Sequence, residues 1–333
     1  MTACFPDHHP GEILYSLAAR HSDRVRYRTA ADASAELFGV RGASAAVALP
    51  GRLGYLAAAL PAGSPYTVDS LVDRHTLYPV YAAFLAPRAR AYLRADMVAP
   101  AAGLVRLGAY ERSLRVARPV RLRYCPSCTD DDRRSHGEAY WRRAHQVPGV
   151  DVCPMHETTI ESSAVAIGSG PMRRRFVTAE EAIGRAPRAR AANAPAHEAL
   201  LGLARDATWL LDHPEAGPPA AAGTRGLHDR YRALLQERGC AAGDGSVDVA
   251  ALTRAVTTVW PREVLARLGC PIGGRGGDNW LGRLAGAAPC QLHPLHHLIF
   301  LRALGVGAQA LFDDDADHQA APRPDRESTE EDR

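Results

Sequence analysis

The sequence contains no lysine, so all 40 of its basic residues are arginine. This absence excludes two classes of chemistry. A Schiff-base enzyme needs a lysine amine, and a Walker-type phosphate-binding loop needs a Gly-Lys pair. The abundance of Ala, Arg, Gly and Pro indicates GC-rich codon usage as the origin of the bias.

Long apolar runs are also missing. No stretch approaches the ~18 continuous apolar residues that a membrane-spanning helix needs. The first eight residues lack the basic and apolar segments of a signal peptide. We therefore expect a cytoplasmic protein without a membrane partner. Because disulfides are rare in the cytosol, the seven cysteines are expected to be metal ligands, reactive groups or core residues.

Charge is distributed unevenly along the chain. Residues 311–333 contain nine acids and three arginines, which gives this tail a net charge of −6. The body before it carries +9, against +3 for the whole chain. A basic, arginine-only body is typical of proteins that bind phosphate or nucleic acid, because guanidinium groups form bidentate bonds with phosphate. A solvated surface without such a ligand is the alternative.

Four potential metal ligands occur as two closely spaced pairs. Cys125 and Cys128 form the first pair, and Cys153 and His156 follow after 24 residues. A gap of two residues lets both members of a pair reach one ion, and the four groups complete a tetrahedral site of the structural type. We predict one structural Zn²⁺ whose binding energy contributes to folding. The spacing favours His156 over His145, which we expect on a helix in a core or surface role.

Helical patterns dominate and strand patterns are scarce, which predicts a mainly α protein of several units. The predicted units are an N-terminal helical bundle over residues 1–118, a zinc-binding module over 119–165, a basic linker over 166–195, a C-terminal helical domain over 196–310 and a disordered acidic tail over 311–333.

Four blocks of the sequence form a recognisable set. The first two are Phe5-Pro-Asp-His-His-Pro-Gly-Glu-Ile-Leu-Tyr-Ser16 and His75-Thr-Leu-Tyr-Pro-Val-Tyr-Ala-Ala-Phe84. The third, Gly137-Glu-Ala-Tyr-Trp-Arg-Arg-Ala-His-Gln-Val-Pro-Gly149, lies between the ligand pairs, and His293-Pro-Leu-His-His297 is the fourth. Together they resemble the TniQ/TnsD family of transposon target-selection proteins, and the TnsD branch in particular.

The resemblance implies a non-enzymatic role on DNA. Such proteins mark an insertion site in double-stranded DNA and recruit an AAA+ ATPase regulator, which in turn brings the transposase. TnsD-like members bind a chromosomal attachment sequence, which implies association with the nucleoid. Other TniQ members dock on an RNA-guided CRISPR effector, so a protein-docking adaptor is the alternative. The sequence ends soon after residue 305 and has no second cysteine knuckle over 161–170, so we expect fewer DNA-binding elements than in longer members.

Arginines supply the predicted DNA contacts. A candidate helix-turn-helix consists of helices over 261–269 and 278–286, joined by a glycine-rich turn, and an ordinary pair of bundle helices is the alternative. Its arginines Arg262, Arg275 and Arg283 are expected to contact phosphate or guanine. The other predicted contacts are Arg142, Arg143, Arg173, Arg174 and Arg175. Solvated charge or an acidic protein partner is the alternative for these.

Catalytic motifs are absent from the sequence. It has no HExxH helix, no Gly-x-Ser-x-Gly elbow and no dinucleotide-binding glycine pattern. The run Asp130-Asp131-Asp132 would have to supply the carboxylates of a metal-dependent nuclease, yet charged loop residues beside Cys128 need no catalytic explanation. We therefore predict that the chain is not an enzyme, and a nuclease remains the third hypothesis.

Overall fold

The computed structural model describes residues 5–41, 46–99, 116–167, 175–183, 196–218, 223–241, 246–273, 280–286 and 292–319. Within these ranges the protein is mainly α-helical, as the sequence predicts, and a single two-stranded sheet is present. None of the described helices is both long enough and apolar enough to cross a membrane.

Short capped helices make up the described N-terminal part. They are α1 Leu14–Val25, α2 Ala30–Phe38, α3 Leu53–Ala59, α4 Val68–His75, α5 Tyr78–Ala82 and α6 Pro87–Val98. Helix α4 begins with a reciprocal capping box between Thr67 and Ser70. Pro79 falls in the first turn of α5, where its missing N–H breaks no helical hydrogen bond.

The central segment is closed at its two ends by a small antiparallel ribbon. Strand β1 Arg121–Tyr124 pairs with β2 Glu161–Ala166, and Tyr124 lies opposite Glu161. Between the strands lie α7 Pro126–His136 and a single 3₁₀ turn, Ala144–Gln146. His145 therefore sits on a 3₁₀ turn instead of the longer helix that we expected.

Helices also make up the described C-terminal part. They are α8 Ala179–Ile183, α9 His197–Asp212, α10 Gly223–Glu237, α11 Val249–Val259, α12 Arg262–Arg267, α13 Trp280–Ala285, α14 Pro294–Ala303 and α15 Ala308–Gln319. Asp248 caps α11 through a 2.8 Å bond from the Ala251 N–H, as its position predicts. Helix α14 begins at Pro294 and its first eight residues are buried.

One hydrophobic core runs through the described parts of the molecule, from Ile13 to Phe312. Helix α9 packs against α5 from the N-terminal part and against α14 and α15 from the C-terminal part. The ring of His297 on α14 stacks on Phe84 with 4.4 Å between centroids. The N-terminal and C-terminal helices therefore share one interior, and the domain boundaries drawn from the sequence remain predictions.

The start of the predicted disordered tail needs correction. Leu311 and Phe312 lie within α15 and are buried in the core. The sequence boundary followed the charge alone, whereas these two apolar side chains gain free energy by packing. Residues 320–333, the rest of the predicted tail, lie outside the described residues.

Candidate metal centre

The four predicted ligands converge at one point in the structure. Cys125 occupies the N-cap position of α7 and Cys128 lies in its first turn, while Cys153 and His156 come from the turn that precedes β2. All four ligand atoms lie within 4.8 Å of one another, and the three cysteines are buried. We call this group the Cys₃His cluster. It is the only such group of three or more ligands among the residues that the structure describes.

The distances in the Cys₃His cluster match a tetrahedral metal site. The sulfurs of Cys128 and Cys153 are 3.6 Å apart. His156 Nδ1 lies 3.3 Å from the sulfur of Cys128, 3.7 Å from that of Cys153 and 3.8 Å from that of Cys125. Metal–ligand bonds of about 2.0–2.3 Å at tetrahedral angles separate ligand atoms by about 3.5–3.8 Å. The cluster is therefore compact enough to hold one metal ion.

The thiols are too close together for all three to ionise without a cation. A hydrogen bond from Cys128 holds the pKa of the Cys125 thiol far below its usual range. Hydrogen bonds to Cys125 and Cys153 raise the pKa of Cys128 far above its range, and the bond to Cys125 raises the pKa of Cys153 to about 11. A bound cation removes this conflict, because metal-coordinated thiols are deprotonated. Sulfur and imidazole donors are also the set that zinc prefers.

A second group of side chains supports the ligands. His156 Nε2 lies 2.8 Å from a carboxylate oxygen of Asp131, so this nitrogen carries the proton and leaves Nδ1 free to bind a metal. Thr158 Oγ1 lies 3.4 Å from the Cys125 sulfur. His145 Nε2 lies within 3.8 Å of the sulfurs of both Cys128 and Cys153. Every sulfur of the cluster therefore has a side-chain hydrogen-bond partner outside the ligand set.

The sequence pattern did not identify these supporting residues. We expected Asp130-Asp131-Asp132 to be a charged loop, but the run lies on α7. Asp131 follows Cys128 by three residues, so both lie on one face of that helix, and this spacing could have identified it. His145 is buried against two ligand sulfurs, which distinguishes it from an ordinary core histidine.

Comparisons with known proteins agree with the motifs. A TniQ family model matches residues 3–160, and a model described as Tn7-like transposition protein D matches residues 203–324. The Transposon Tn7 transposition protein TnsD of Escherichia coli is 33% identical over 152 residues, which cover 46% of this chain and 30% of that protein. The chain belongs to the TniQ/TnsD family. The whole Cys₃His cluster falls within the part matched to TniQ.

Two of the TniQ/TnsD-like sequence blocks are joined by backbone hydrogen bonds. The N–H of Ile13 donates to the carbonyl of Trp141 at 3.0 Å, and the N–H of Arg143 donates to the carbonyl of Gly11 at 2.8 Å. The block near the N-terminus therefore lies directly against the block between the ligand pairs. This contact places the N-terminal motif beside the segment that carries the Cys₃His cluster.

Arg143 is not available for DNA contact in this TniQ/TnsD chain. Its guanidinium group is buried and donates to the backbone carbonyls of Asp73, Thr76 and Leu211 at 2.6, 3.3 and 2.6 Å. These carbonyls lie at the C-terminal ends of α4 and α9, where backbone acceptors lack helical partners. The structure therefore corrects the prediction for Arg143, which joins two helix ends inside the protein.

Arg142 is also engaged internally. It donates to the buried carboxylate of Asp132, and its guanidinium lies 4.9 Å from the centroid of the Tyr140 ring. If Arg142 turned outward to contact DNA, the buried carboxylate of Asp132 would lose its partner, which costs free energy. The structure corrects this prediction as well, because the sequence pattern gave no sign that Asp132 faces Arg142.

The remaining predicted DNA-binding arginines occupy separate places. Arg175 is exposed and pairs with Glu181 at 2.8 Å. Arg262 on α12 and Arg283 on α13 are exposed, and an Nη1 donor of Arg262 bonds to the Ile272 carbonyl at 3.0 Å. Arg173, Arg174 and Arg275 lie outside the described residues, as does part of the turn between α12 and α13.

The acidic run on α7 forms no common carboxylate site. Asp130 approaches Arg133 at 3.9 Å, Asp131 faces His156, and Asp132 faces Arg142. A nuclease that uses metal ions needs carboxylates that converge on the metal. These three residues instead point to three different partners.

Proposed function

We propose that this chain is a non-enzymatic target-site selector for a transposon. In this role it binds double-stranded DNA and recruits an AAA+ ATPase regulator, which in turn brings the transposase. The observation that carries the proposal is the pair of family matches, TniQ over residues 3–160 and TnsD over residues 203–324. The relative from Escherichia coli is named as a transposition protein, and the chain matches 30% of its length.

The exposed arginines define the DNA contacts of this proposal. With Arg142 and Arg143 engaged inside the protein, the described candidates are Arg175, Arg262 and Arg283, which are all exposed. We propose that helices α12 and α13, the candidate helix-turn-helix, recognise the DNA sequence. Trp280 Nε1 at the start of α13 donates to the carbonyl of Cys270 at 3.2 Å, and this bond ties α13 to the residues just after α12.

We further propose that the Cys₃His cluster binds one structural Zn²⁺ in this role. The bound ion supplies folding free energy to the segment. Cys125 follows β1 directly, and His156 lies shortly before β2. A bound ion would therefore hold the two ends of the central segment together beside the two-stranded ribbon. Each ligand position is filled by a side chain, which leaves no place for a catalytic water.

A gel-shift series across salt concentrations tests the selector. The selector requires submicromolar binding to an attachment sequence, well above binding to bulk duplex DNA, because base contacts add to the phosphate contacts. Equal weak binding to every duplex contradicts the selector and favours a protein-docking adaptor. Divalent-metal-dependent cleavage by the purified protein contradicts the non-enzymatic role. Co-purification with an ATPase regulator tests the recruitment step separately.

A further inference from the structure

A polar cavity opens where the turn between α1 and α2 meets the segment that leads into α8. Its volume is about 330 Å³. Its walls come from the end of α1, the turn at residues 26–29, the first residues of α2 and residues 175–181. Three arginines line this cavity, Arg26, Arg28 and Arg175. We call it the arginine cavity.

Two of these arginines have uncompensated side chains. Arg26 and Arg28 are exposed, and neither side chain forms a hydrogen bond or ion pair with another described residue. Arg175 is paired with Glu181 at 2.8 Å, so these two charges offset each other. Asp23 is the remaining carboxylate in the described lining. The arginine cavity therefore carries an excess of positive charge.

Arg26 adopts a backbone conformation that is unusual for arginine. Its φ is 55°, in the left-handed region, and its N–H closes α1 on the carbonyl of Ser22. Glycine adopts this conformation at lower cost than any residue with a Cβ. Non-glycine residues in this region cluster at functional sites. Arg26 therefore stands at a turn position where glycine would be less strained.

The segment that carries Arg175 is held firmly against α1. The hydroxyl of Tyr15 donates to the Arg175 carbonyl at 3.2 Å and accepts from the Val177 N–H at 3.1 Å. The Phe176 ring packs against that of Tyr15, with 5.5 Å between centroids. On the other wall, the Tyr27 hydroxyl lies 2.8 Å from His21 Nε2. The cavity is therefore pre-organised, and binding an anion requires little ordering of its backbone.

We propose that the arginine cavity binds phosphate groups of the DNA backbone. This inference rests on the proposed function, since it assigns a surface to the DNA binding that the function requires. Unpaired guanidinium groups match the geometry and charge of a phosphodiester. Arg175 is also the last of three consecutive arginines in the sequence. Contacts of this kind position a protein on DNA without reading its sequence.

The test compares two triple variants with equal changes in charge. The cavity variant carries Arg26→Gly, Arg28→Ser and Arg175→Ser, and Gly keeps the left-handed turn accessible. The control carries Arg88→Ser, Arg232→Ser and Arg254→Ser, which replace three exposed arginines on α6, α10 and α11. Fluorescence anisotropy with a labelled duplex of unrelated sequence is measured across a salt series. Thermal melts check that both variants stay folded.

The cavity variant is expected to bind the duplex at least about tenfold more weakly than the control at ~0.1 M salt. Its slope of log affinity against log salt should be shallower by roughly 2–3, because each lost phosphate contact removes about 0.9. The control should differ much less from the wild type. A folded cavity variant with the affinity and slope of the control overturns the inference, while the wild type's own DNA binding leaves the proposed function standing.

Two further outcomes separate the causes of failure. If the wild type binds no duplex at any salt concentration, both the proposed function and the assignment of the arginine cavity are overturned. The cavity could instead take a small phosphate. In that case inorganic pyrophosphate would raise the melting temperature of the wild type and not of the cavity variant, while both bind DNA equally. This result overturns the assignment to the DNA backbone.

Discussion

The central segment, residues 121–166, and helix α14 bury polar groups by opposite means. In the segment, three thiols and an imidazole face one another in the Cys₃His cluster, and these thiols need a cation to balance their charge once they ionise. At the start of α14, the N-cap residue His293 and the helical residue His297 are buried against aromatic rings and must stay uncharged. Two parts of one continuous core should therefore respond to different solution conditions, the first to metal and the second to acid.

The α14 histidines show how a neutral polar group is accommodated without a metal. His297 Nδ1 lies 2.7 Å from the Tyr231 hydroxyl, and His293 Nε2 lies 3.3 Å from the Tyr81 hydroxyl. Burial lowers the pKa of both imidazoles, that of His297 to about 3. Each ring therefore remains neutral at physiological pH and keeps its hydrogen-bond partner.

Loss of a ligand should produce the largest effect and should separate the two regions. In Cys153→Ser, the protein is expected to lose its metal, about one equivalent per chain in the wild type, and about 5 kcal/mol or more of stability. Metal analysis and hydrogen exchange measure the two effects. Amides of residues 121–166 should lose protection first, while those of α14 keep theirs.

Cys240→Ala is the matched control, because Cys240 is a buried cysteine outside the cluster. It should retain the full metal content. If Cys153→Ser also keeps its metal and its protection, the Cys₃His cluster does not hold the segment together. If α14 loses protection together with the segment, the two regions form one cooperative unit and the contrast between them disappears.

Arg143 joins the segment to the C-terminal ends of α4 and α9, so its replacement is expected to have the next largest effect. Arg143→Met leaves the carbonyls of Asp73, Thr76 and Leu211 without their donor. Buried acceptors without partners cost about 1–3 kcal/mol each, and shared relaxation reduces the total to roughly 3–5 kcal/mol. Urea unfolding measures the loss. Arg134→Met, at an exposed ion pair, should cost less than about 1 kcal/mol, and a similar cost for both variants contradicts the role of Arg143.

Local spacing explains which features could be predicted from the sequence. The caps Thr67 and Asp248 and the two ligand pairs depend on residues three positions apart, and the structure brings each of these sets together. The destination of Arg143 depends on carbonyls about 70 residues away in both directions. No local pattern contains that information, so a buried arginine was predicted as a surface one.

The pH dependence of stability should show how much the buried imidazole of His297 contributes to unfolding in acid. The pKa of His297 is about 3 in the folded state, below about 6.5 in the unfolded state, so the unfolded chain binds more protons between these values. Stability contributed by the neutral ring is present above pH 6.5 and is lost as the pH falls towards 3. In His297→Phe, the loss of stability between pH 6.5 and 4.5 should be smaller than in the wild type by about 2 kcal/mol.

Leu298→Val is the control for this measurement, because Leu298 is a buried neighbour on α14. It should lower stability at every pH and leave the slope unchanged. Chemical denaturation at a series of pH values gives both slopes. If His297→Phe retains the wild-type slope, acid sensitivity arises elsewhere and the second half of the contrast between the regions is wrong.

The smallest expected effect concerns Asp131, which contacts the predicted metal ligand His156. Asp131→Asn keeps an oxygen that can accept the 2.8 Å bond from His156 Nε2 but removes its negative charge. Loss of such a partner typically lowers metal affinity 10–100-fold. The Asp131 side chain is 37% exposed, and solvent screening favours the lower end, about tenfold. Competition with a chromophoric chelator measures the affinity.

Asp130→Asn, on the same helix and facing Arg133, is the control and should leave the metal affinity unchanged. Equal losses in the two variants would assign the effect to general negative charge near the cluster, and no loss in either would show that the ligands alone set the affinity.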